Sequence, residues 1–470
     1  MFLTRQFTKT FKSIKPEIRF RCFANEDRNP FVKSWDVLKS DVSVFLGRSK
    51  PSMYPKHVDV VIIGGGFIGS SIAYWLKTKT REGLSVLVLE KDVTFQNVQK
   101  NVSLGQLTQH FTLPENINLS QYGAEFLRNI KENLGHDVDI EFYPCNSLVL
   151  ASEKYAEKLE SNVTVQKECG LKNDLLSIED IKKRFPWINT HDVKLGCIGT
   201  ESEGFFNAWN FLKGLVKKSQ DLGALYLNAE VTGFELEKQR DVLMEGISPG
   251  SFRRISCVKY KTADNEEHSV KFAACILAAG DESGHIAQLA DIGVGEGLLS
   301  VPLPIEKREL SVFSLAEKAK TTGLNTPMVM DTSGLWIRRN GLEDNLLCGH
   351  VPLLKDEAKT LSEQEFYANI VKPSLINRIT ECDKIDMCKI STEKQDYNTF
   401  DESGILGPHA YHNNLYLAAG FGRQGCFQAP GIGRAIAELI IDSHYTTIDL
   451  TRFGFDRLLL NKPIMEFNVY

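Results

Sequence analysis

The chain has 470 residues, of which 42% are apolar and 24% charged, as expected for a globular protein of two or three domains. Its formal net charge of -5 excludes the basic surface field that nucleic-acid-binding domains use, so no nucleic-acid partner is expected. The ten cysteines are scattered and form no CxxC pair, which argues against a zinc site or a redox disulfide. No metal site is therefore predicted.

The first residues differ from the rest of the chain. Basic residues recur along Met1–Arg21, with Glu17 as the single acid, and apolar residues fall at helical spacing on the opposite face. This pattern is typical of a mitochondrial transit peptide; the alternative is a basic tail without a targeting role. We predict a transit peptide at 1–24 and a linker at 25–56. No apolar run approaches the roughly 20 residues of a membrane span, so any membrane contact is expected to be peripheral.

A Gly-rich βαβ pattern opens the folded part of the chain. The apolar segment Val58–Ile63 runs into Gly64-Gly65-Gly66-Phe67-Ile68-Gly69, a helical pattern follows, and Ser85–Leu89 is the next strand segment. In such a unit the three spaced glycines permit a tight turn, close approach of a pyrophosphate, and close packing of the helix on the strand. Glu90 ends the second strand, where a carboxylate accepts from ribose hydroxyls and disfavours a 2′-phosphate. The pattern predicts FAD or NAD bound by Gly64, Gly66, Phe67, Ile68, Gly69, Glu90 and the adjacent Lys91.

Later strand segments are of two kinds. Compact apolar segments are typical of buried parallel strands, and they are Val58–Ile63, Ser85–Leu89, Leu225–Leu227, Ala274–Leu277 and Leu415–Ala418. Alternating segments suit an antiparallel sheet, and they are Ser147–Ala151, Glu309–Phe313, Leu335–Arg339 and Leu346–Gly349. Because the two kinds interleave, we predict a discontinuous nucleotide-binding domain (57–110, 200–300 and 400–445), an inserted substrate or cap domain (111–199 and 301–399), and a C-terminal tail (446–470).

A second Gly-rich segment lies near the C-terminus. The strand segment ending at Gly420 leads through Phe421-Gly422-Arg423-Gln424-Gly425 to Ala429-Pro430-Gly431-Ile432-Gly433 and a helical pattern. Pro430 suits a first helical position, and the bare backbone at Gly431 and Gly433 suits the electron-rich pyrimidine edge of a flavin. An ordinary Gly-containing helix start is the alternative. This segment favours FAD over NAD and adds Gly420, Gly422, Arg423, Gly425, Pro430, Gly431 and Gly433 to the candidate cofactor-binding residues.

The segment Cys275-Ile276-Leu277-Ala278-Ala279-Gly280 contributes a strand and a small-residue turn. Together with the two Gly-rich segments, it resembles the D-amino-acid oxidase family of FAD enzymes, which includes sarcosine oxidases and dimethylglycine dehydrogenases. The resemblance implies an α/β, Rossmann-type FAD-binding domain of the two-dinucleotide-binding class with an interleaved antiparallel substrate domain. It further implies cofactor contacts at Val231, Ala279 and Gly280. His110 is displaced from the position of a covalent flavin link, so FAD is expected to be non-covalent.

Within that family, the segments Phe111–Ile117, Asp396–Asp401, Gly407–His409 and Gln428–Arg434 resemble a mitochondrial branch that acts in assembly of respiratory complex I. That likeness implies a location in the matrix or at the matrix face of the inner membrane, and complex I assembly intermediates or subunits as partners. The chain departs from the family's pattern at Gln106, at Ser391–Gln395, and at Asp281 and Glu282. These departures favour an assembly role with mainly structural FAD over oxidation of a small amine or amino acid. An NAD(H) dehydrogenase is the third and least favoured hypothesis.

Three residues are candidates for catalysis. Lys307 and Arg308 precede a strand segment at a place where the family uses a cation to assist oxygen or to hold substrate, and the alternative is a solvated basic pair. His409 follows Gly407-Pro408 and could face the flavin, although a histidine in a turn is more often structural. Arg423 could contact cofactor or substrate, and its alternative is a surface arginine.

Overall fold

The computed structural model describes residues 54–470 apart from 97, 99–104, 241–249, 251, 318–321, 342–344, 352–360, 381, 383–384, 468 and 470. Lys56–Tyr470 form one compact unit. The predicted transit peptide and nearly all of the predicted linker lie outside the described residues. Within the described part of the chain, no helix is long and apolar enough to cross a membrane.

The described strands, in chain order, are β1 Val60–Ile63, β2 Val86–Glu90, β3 Gln106–Leu107, β4 Tyr143–Pro144, β5 Ser147–Ala151, β6 Asn173–Leu176, β7 Leu195–Gly199, β8 Gly204–Phe205, β9 Leu225–Lys238, β10 Arg253–Thr262, β11 Glu267–Lys271, β12 Ala274–Leu277, β13 Ile305–Glu317, β14 Met328–Met330, β15 Leu335–Arg339, β16 Asn345–His350, β17 Ile385–Asn398, β18 Ile405–Pro408 and β19 Leu415–Ala419. The described α-helices are α1 Phe67–Thr80, α2 Pro114–Arg128, α3 Ile130–Leu134, α4 Ala156–Glu168, α5 Ile178–Arg184, α6 Ala208–Asp221, α7 Ser283–Gln288, α8 Glu363–Phe366, α9 Lys372–Arg378, α10 Gly425–Ile441 and α11 Asp456–Leu459.

Sheet 1 has the strand order β11-β10-β9-β2-β1-β12-β19-β18. Its centre is parallel, from β9 through β2, β1 and β12 to β19, while β10, β11 and β18 pair antiparallel at its two sides. Val60–Ile63 is buried at every position, as expected when helices cover both faces of a parallel sheet. The five predicted parallel strands are confirmed, although β9 continues eleven residues beyond the predicted end at Leu227 to Lys238.

Sheet 2 has the order β17-β13-β16-β15-β14-β5-β7-β6 and is antiparallel except where β14 pairs with β5. It contains all four segments that alternation assigned to an antiparallel sheet. A small third sheet joins β3, β8 and β4. The strands of sheet 1 fall within 57–110, 200–300 and 400–445, and those of sheet 2 fall within 111–199 and 301–399.

Two segments lie elsewhere than the predicted domain boundaries put them. Helix α2, predicted in the substrate domain, packs its Phe126 face on Tyr74 of α1 and Phe211 of α6, beside sheet 1. The predicted tail is not separate, because Leu450 and Phe453 are fully buried in the core of sheet 1. In both cases burial of an apolar face decides the position, and an amphipathic pattern does not reveal which partner it will bury against.

The end of the chain crosses from one sheet to the other through residues Ile464–Phe467, which we call the C-terminal strap. The Ile464 N–H donates to Asp401 beside sheet 1. The Phe467 carbonyl accepts from Asn162 of α4, and Val469 is buried with residues of sheet 2. Between these points Glu466 accepts hydrogen bonds from Thr112, Leu113 and Asn116. Its carboxylate thereby caps the N-terminus of α2, which has no side-chain cap of its own.

Candidate functional site

A cavity of about 340 Å³ lies between the carboxyl ends of the parallel strands of sheet 1 and one face of sheet 2. The loops that follow β1, β2, β12 and β19 form one wall, and β13 and β17 contribute the facing wall. Ligands of open α/β sheets bind at this edge, because the helix N-termini and flexible loops meet there. The predicted cofactor residues that line it are Gly64, Gly66, Phe67, Ile68, Glu90, Lys91, Val231, Ala279, Gly280, Gly422, Arg423 and Gly425.

The three spaced glycines of the first Gly-rich loop differ in their surroundings. Gly64 and Gly69 pack closely against backbone atoms, whereas Gly66 faces open space. A Cβ on Gly64, where φ is +98°, would lie 2.3 Å from the Ala278 carbonyl oxygen. A Cβ on Gly69 would lie 1.9 Å from the Gly64 carbonyl oxygen, so this glycine permits close helix packing and does not line the cavity. Gly66 has no atom within 4 Å of an added Cβ and is the uncapped N-cap of α1. The N-terminus of α1 is therefore open toward the cavity, as a phosphate site requires.

Glu90 is held by the backbone on both sides. One carboxylate oxygen accepts from the Gly65 N–H at 2.7 Å and the other accepts from the Asp92 N–H at 2.9 Å. Burial raises the pKa of this carboxyl, and the two backbone hydrogen bonds oppose that shift. The adjacent Lys91 forms an ion pair with Glu282 at 2.7 Å. Glu282, one of the departures from the family pattern, thus serves as the partner of a basic residue at this end of the cavity.

The second Gly-rich segment differs from its prediction. Helix α10 begins at Gly425, five residues before Pro430, so the predicted helix start is wrong. A Cβ on Gly433 would lie 2.3 Å from Ser71 Oγ, and one on Gly431 would lie 2.7 Å from Leu119. These glycines let α10 pack against α1 and α2, and neither they nor Pro430 line the cavity. Packing glycines and cofactor glycines look alike in sequence, and here packing accounts for the pair.

Gly420, in the loop between β19 and α10, was predicted to contact the flavin, but the sequence did not reveal its hydrogen-bond partner. Gly420 does not line the cavity, and its N–H donates to the Asp396 carboxylate of β17. The N–H groups of Phe421 and Gly422 donate to the same carboxylate. The contact spans 24 residues of sequence, so no local pattern indicates it. Asp396 itself lines the cavity, together with Glu393, Lys394 and Gln395, which belong to the segment that departs from the family's pattern.

Arg423 lines the cavity, and its guanidinium stacks on Trp336 of β15 at 4.7 Å from the ring centroid. Two residues along β15, and so on the same face, the buried Arg338 stacks on Phe205 at 4.5 Å. Burial lowers the pKa of Arg423, and burial together with the charge of Arg423 lowers the pKa of Arg338 to about 10. Glu393 opposes both shifts. Arg423 is partly buried and lines the cavity, so it is not a surface arginine. Trp336 and Arg338 were not singled out from the sequence, and Glu393 was named only as part of the segment Ser391–Gln395 that departs from the family's pattern.

None of the three candidate catalytic residues lines the cavity. Lys307 is 44% exposed and pairs with Glu309 at 2.7 Å, and Arg308 stacks on the ring of Tyr397. His409 is buried, and its Nδ1 accepts from the N–H groups of Tyr411 and His412. Each of these side chains is engaged by neighbours that do not line the cavity. Lys307 and Arg308 nevertheless lie beside the site, because they pair across the β13–β17 ladder with Asp396 and Gln395, which do line it.

His110, considered as a covalent link, lies 3.1 Å from the Ser147 carbonyl oxygen and does not line the cavity. Among the described residues, no group of histidine, cysteine, aspartate and glutamate side chains is arranged to hold a metal ion. The described cavity has the lining expected of a dinucleotide site, with Arg423 as a cation among its residues.

Comparison with known proteins identifies the family to which the protein with this site belongs. Residues 59–439 match the family model described as FAD dependent oxidoreductase, DAO. The chain therefore belongs to this family of FAD-dependent oxidoreductases, and the predicted family, fold class and cofactor are confirmed.

Close relatives bear a more particular name. The chain is 40% identical over 422 residues to the FAD-dependent oxidoreductase domain-containing protein 1 homolog of Drosophila melanogaster, covering 89% of this chain and 82% of that protein. It is 38% identical over 465 residues to FAD-dependent oxidoreductase domain-containing protein 1 of Mus musculus, covering 93% of this chain and 95% of that protein. Its fold is similar to that of L-proline dehydrogenase from P. horikoshii, with a TM-score of 0.69 and 19% identity over 87% of this chain and 100% of that chain.

Proposed function

We propose that this chain binds FAD non-covalently in the cavity between the two sheets and oxidises a small amine or amino acid there. The observation that carries the proposal is that one cavity is lined by residues of both Gly-rich segments, with Glu90 and Arg423 among them. Glu90 and Val231 would bind the adenosine, and the loop Gly64–Gly66 with the N-terminus of α1 would bind the pyrophosphate. Gly422, Arg423 and Gly425 would then contact the flavin ring.

The residues fit this cofactor on two observations. Gly66 leaves open space where any side chain would stand, as a pyrophosphate requires. Both oxygens of Glu90 are oriented by backbone N–H groups and retain lone pairs for ribose hydroxyls.

Bound FAD supplies a hydride acceptor for the carbon next to an amine nitrogen. The protein's part is to bind and orient the donor beside the flavin. Arg423 provides a cation for a donor carboxylate, and Trp336 fixes the guanidinium plane by stacking. Glu393 is 5% exposed and lines the cavity, where its carboxylate would accept a hydrogen bond from the neutral amine that hydride transfer requires. Leu310 adds an apolar surface that helps to exclude water.

The test is to purify the protein, record its visible spectrum and add candidate amines and amino acids without oxygen. Oxidised flavin bands that acid releases into solution, and that a particular amine bleaches, are the expected result. Arg423→Met should retain the bands and lose bleaching by carboxylate-bearing donors. A colourless protein that binds no added FAD contradicts the proposal, as does equal bleaching of Arg423→Met.

A second candidate function is assembly of respiratory complex I inside mitochondria, with FAD in a mainly structural role. Its support is the basic, amphipathic start at Met1–Arg21 and the resemblance of four segments to a mitochondrial branch of the family with that role, namely Phe111–Ile117, Asp396–Asp401, Gly407–His409 and Gln428–Arg434. Import into isolated mitochondria should protect the protein from added protease, and removal of Met1–Arg21 should abolish that protection.

The two candidate functions separate in mitochondria that lack the protein. Complex I content should be restored by wild type and equally by Arg423→Met if assembly is the function. Restoration by wild type alone would tie the role to oxidation. Accessibility to protease after import, or unchanged complex I in the absence of the protein, would contradict the mitochondrial assembly role.

A further inference from the structure

Asp396 connects the two sheets at the cavity wall. It lies on β17, the edge strand of sheet 2, and its carboxylate accepts from the N–H groups of Gly420, Phe421 and Gly422 at 2.5, 3.2 and 3.0 Å. Those donors belong to the loop that leaves β19 of sheet 1 and leads to Arg423 and Gly425. One side chain of sheet 2 therefore fixes the backbone of the loop that forms the flavin end of the cavity.

The loop needs such an anchor. Gly420 and Gly422 have φ values of +82° and +55°, and successive N–H groups in this conformation converge to form an anion-binding concavity. Left empty, these buried donors would each lose the free energy of a missing hydrogen bond. The Asp396 carboxylate fills the concavity from the protein's own chain.

The ionised form of Asp396 fits this environment. On balance burial raises the pKa of the carboxyl, and the hydrogen bonds from the Gly420, Phe421 and Gly422 N–H groups limit that rise. All three contacts are N–H donors, so a proton on the acid would displace one of them and find no acceptor in the concavity. A negative charge thus lies in the cavity wall beside Gly422 and Arg423.

We propose that Asp396 is a positioning residue for the flavin, whose charge also sets the reduction potential of the bound cofactor. The inference rests on the proposed FAD site and goes beyond it by assigning a role to a residue of sheet 2. Without the anchor, FAD must bear the cost of ordering the loop, which lowers its affinity. A fixed negative charge near a flavin disfavours the gain of electrons, so its removal favours reduction.

The experiment compares wild type with Asp396→Asn and Asp396→Glu, each measured for FAD affinity and for the midpoint potential of the bound flavin. Asp396→Asn should bind FAD about tenfold more weakly, the ratio that corresponds to about 1.4 kcal/mol. Its midpoint potential should be more positive than that of wild type. Asp396→Glu keeps the charge, so its potential should shift less than that of Asp396→Asn.

Asp401 provides the matched control. It is 1% exposed and accepts from Arg457 at 2.7 Å, from Asn398 and from Ile464, but it does not line the cavity. Asp401→Asn should lower the melting temperature of the protein with and without FAD and leave the flavin potential unchanged.

The outcomes distinguish a failure of the proposed FAD site from a failure of the role assigned to Asp396. Wild type that binds no FAD refutes the proposed function. Wild type that binds FAD, with Asp396→Asn equal to it in affinity and potential, refutes the role of Asp396 alone. A potential shift of the same size in Asp401→Asn would also refute it, because the effect would then follow from general loosening of the fold. If Asp396→Asn does not fold, the midpoint potential of the flavin in Asp396→Glu is compared with that in wild type. Because the longer side chain displaces the charge, an unchanged potential would then refute the role of Asp396.

Discussion

Glu90 holds the backbone beside the first Gly-rich loop, and its carboxylate is also proposed to bind the ribose of FAD. Its two backbone hydrogen bonds orient the carboxylate and leave lone pairs for two ribose hydroxyls, each charge-assisted bond being worth about 1.5–3 kcal/mol. Glu90→Ala should therefore weaken FAD binding at least tenfold, measured by titration of the apoprotein. The melting temperature of the FAD-saturated protein should fall with it. An unchanged affinity would remove Glu90 from the site.

The buried His409 should make the free energy of unfolding depend on pH, whether or not FAD is bound. Burial lowers the pKa of His409 to about 3, whereas an unfolded histidine titrates near 6.5. The unfolded chain therefore takes up a proton first as the pH falls, so the stability is full above about pH 6.5 and declines toward pH 3. At pH 5 the loss due to this group is about 2 kcal/mol.

His409→Asn keeps an acceptor for the N–H groups of Tyr411 and His412 but cannot titrate. Urea unfolding at pH 7 and pH 5 should show a stability loss smaller by about 2 kcal/mol in this variant. The neighbouring buried His412, whose pKa is also lowered by burial, should retain its own contribution. Equal losses in both proteins would show that His409 does not carry the effect.

At the scale of elements, two glycines that look alike in sequence should respond differently to alanine. In Gly433→Ala the new Cβ would meet the backbone of Ser71 at 2.6 Å and force α10 away from α1. We expect a loss of about 1–3 kcal/mol in the free energy of unfolding, with or without FAD. Gly66→Ala has open space and a φ of -64°, so the apoprotein should keep its melting temperature.

The same Gly66→Ala variant should lose FAD binding by more than tenfold, because the methyl group occupies the approach of the pyrophosphate. Differential scanning fluorimetry with and without FAD distinguishes the two effects. A Gly433→Ala protein that melts like wild type, or a Gly66→Ala protein that binds FAD normally, would contradict the division into packing and cofactor glycines.

The elements that could be predicted from sequence are those whose cause is local. A strand such as Val60–Ile63, buried on both faces, must be apolar throughout, and the spacing of Gly64, Gly66 and Gly69 follows from turn and helix geometry. The start of α10 could not be predicted, because Pro430 lies inside the helix, between glycines that serve packing. Asp396 was recognised as part of a motif, but its bond to Gly420 depends on how two sheets meet.

At the scale of the molecule, the interleaving of apolar and alternating segments was sufficient to predict two interleaved sheets. The position of α2 was not predictable, since its apolar stripe fits either sheet. The cavity follows the same division. The motifs identified many residues of its sheet 1 wall. On the sheet 2 wall, Leu310 was found only from the structure, and Glu393 and Asp396 were known from the sequence only as members of segments.

The C-terminal strap predicts a stability effect far from the cavity. Glu466 accepts from the Thr112 N–H, the Thr112 hydroxyl and Asn116, each at 2.6 Å. Glu466→Ala leaves these donors buried without an acceptor and should cost about 2–4 kcal/mol in the free energy of unfolding. Met465→Ala, one residue earlier and 52% exposed, should change it by less than about 0.5 kcal/mol. Chemical denaturation of the two variants, with equal losses as the contradicting result, tests the strap.

The strap also determines where this protein can be labelled. Val469 is 2% exposed and the Phe467 carbonyl accepts a hydrogen bond from Asn162 of α4, so a purification tag attached close to the strap would disturb packed residues. A long, polar spacer before the tag avoids pulling Glu466 from the N-terminus of α2. The exposed turn at Ala263–Asn265, between β10 and β11, is the better position for an antibody epitope, since it leaves both chain ends untouched.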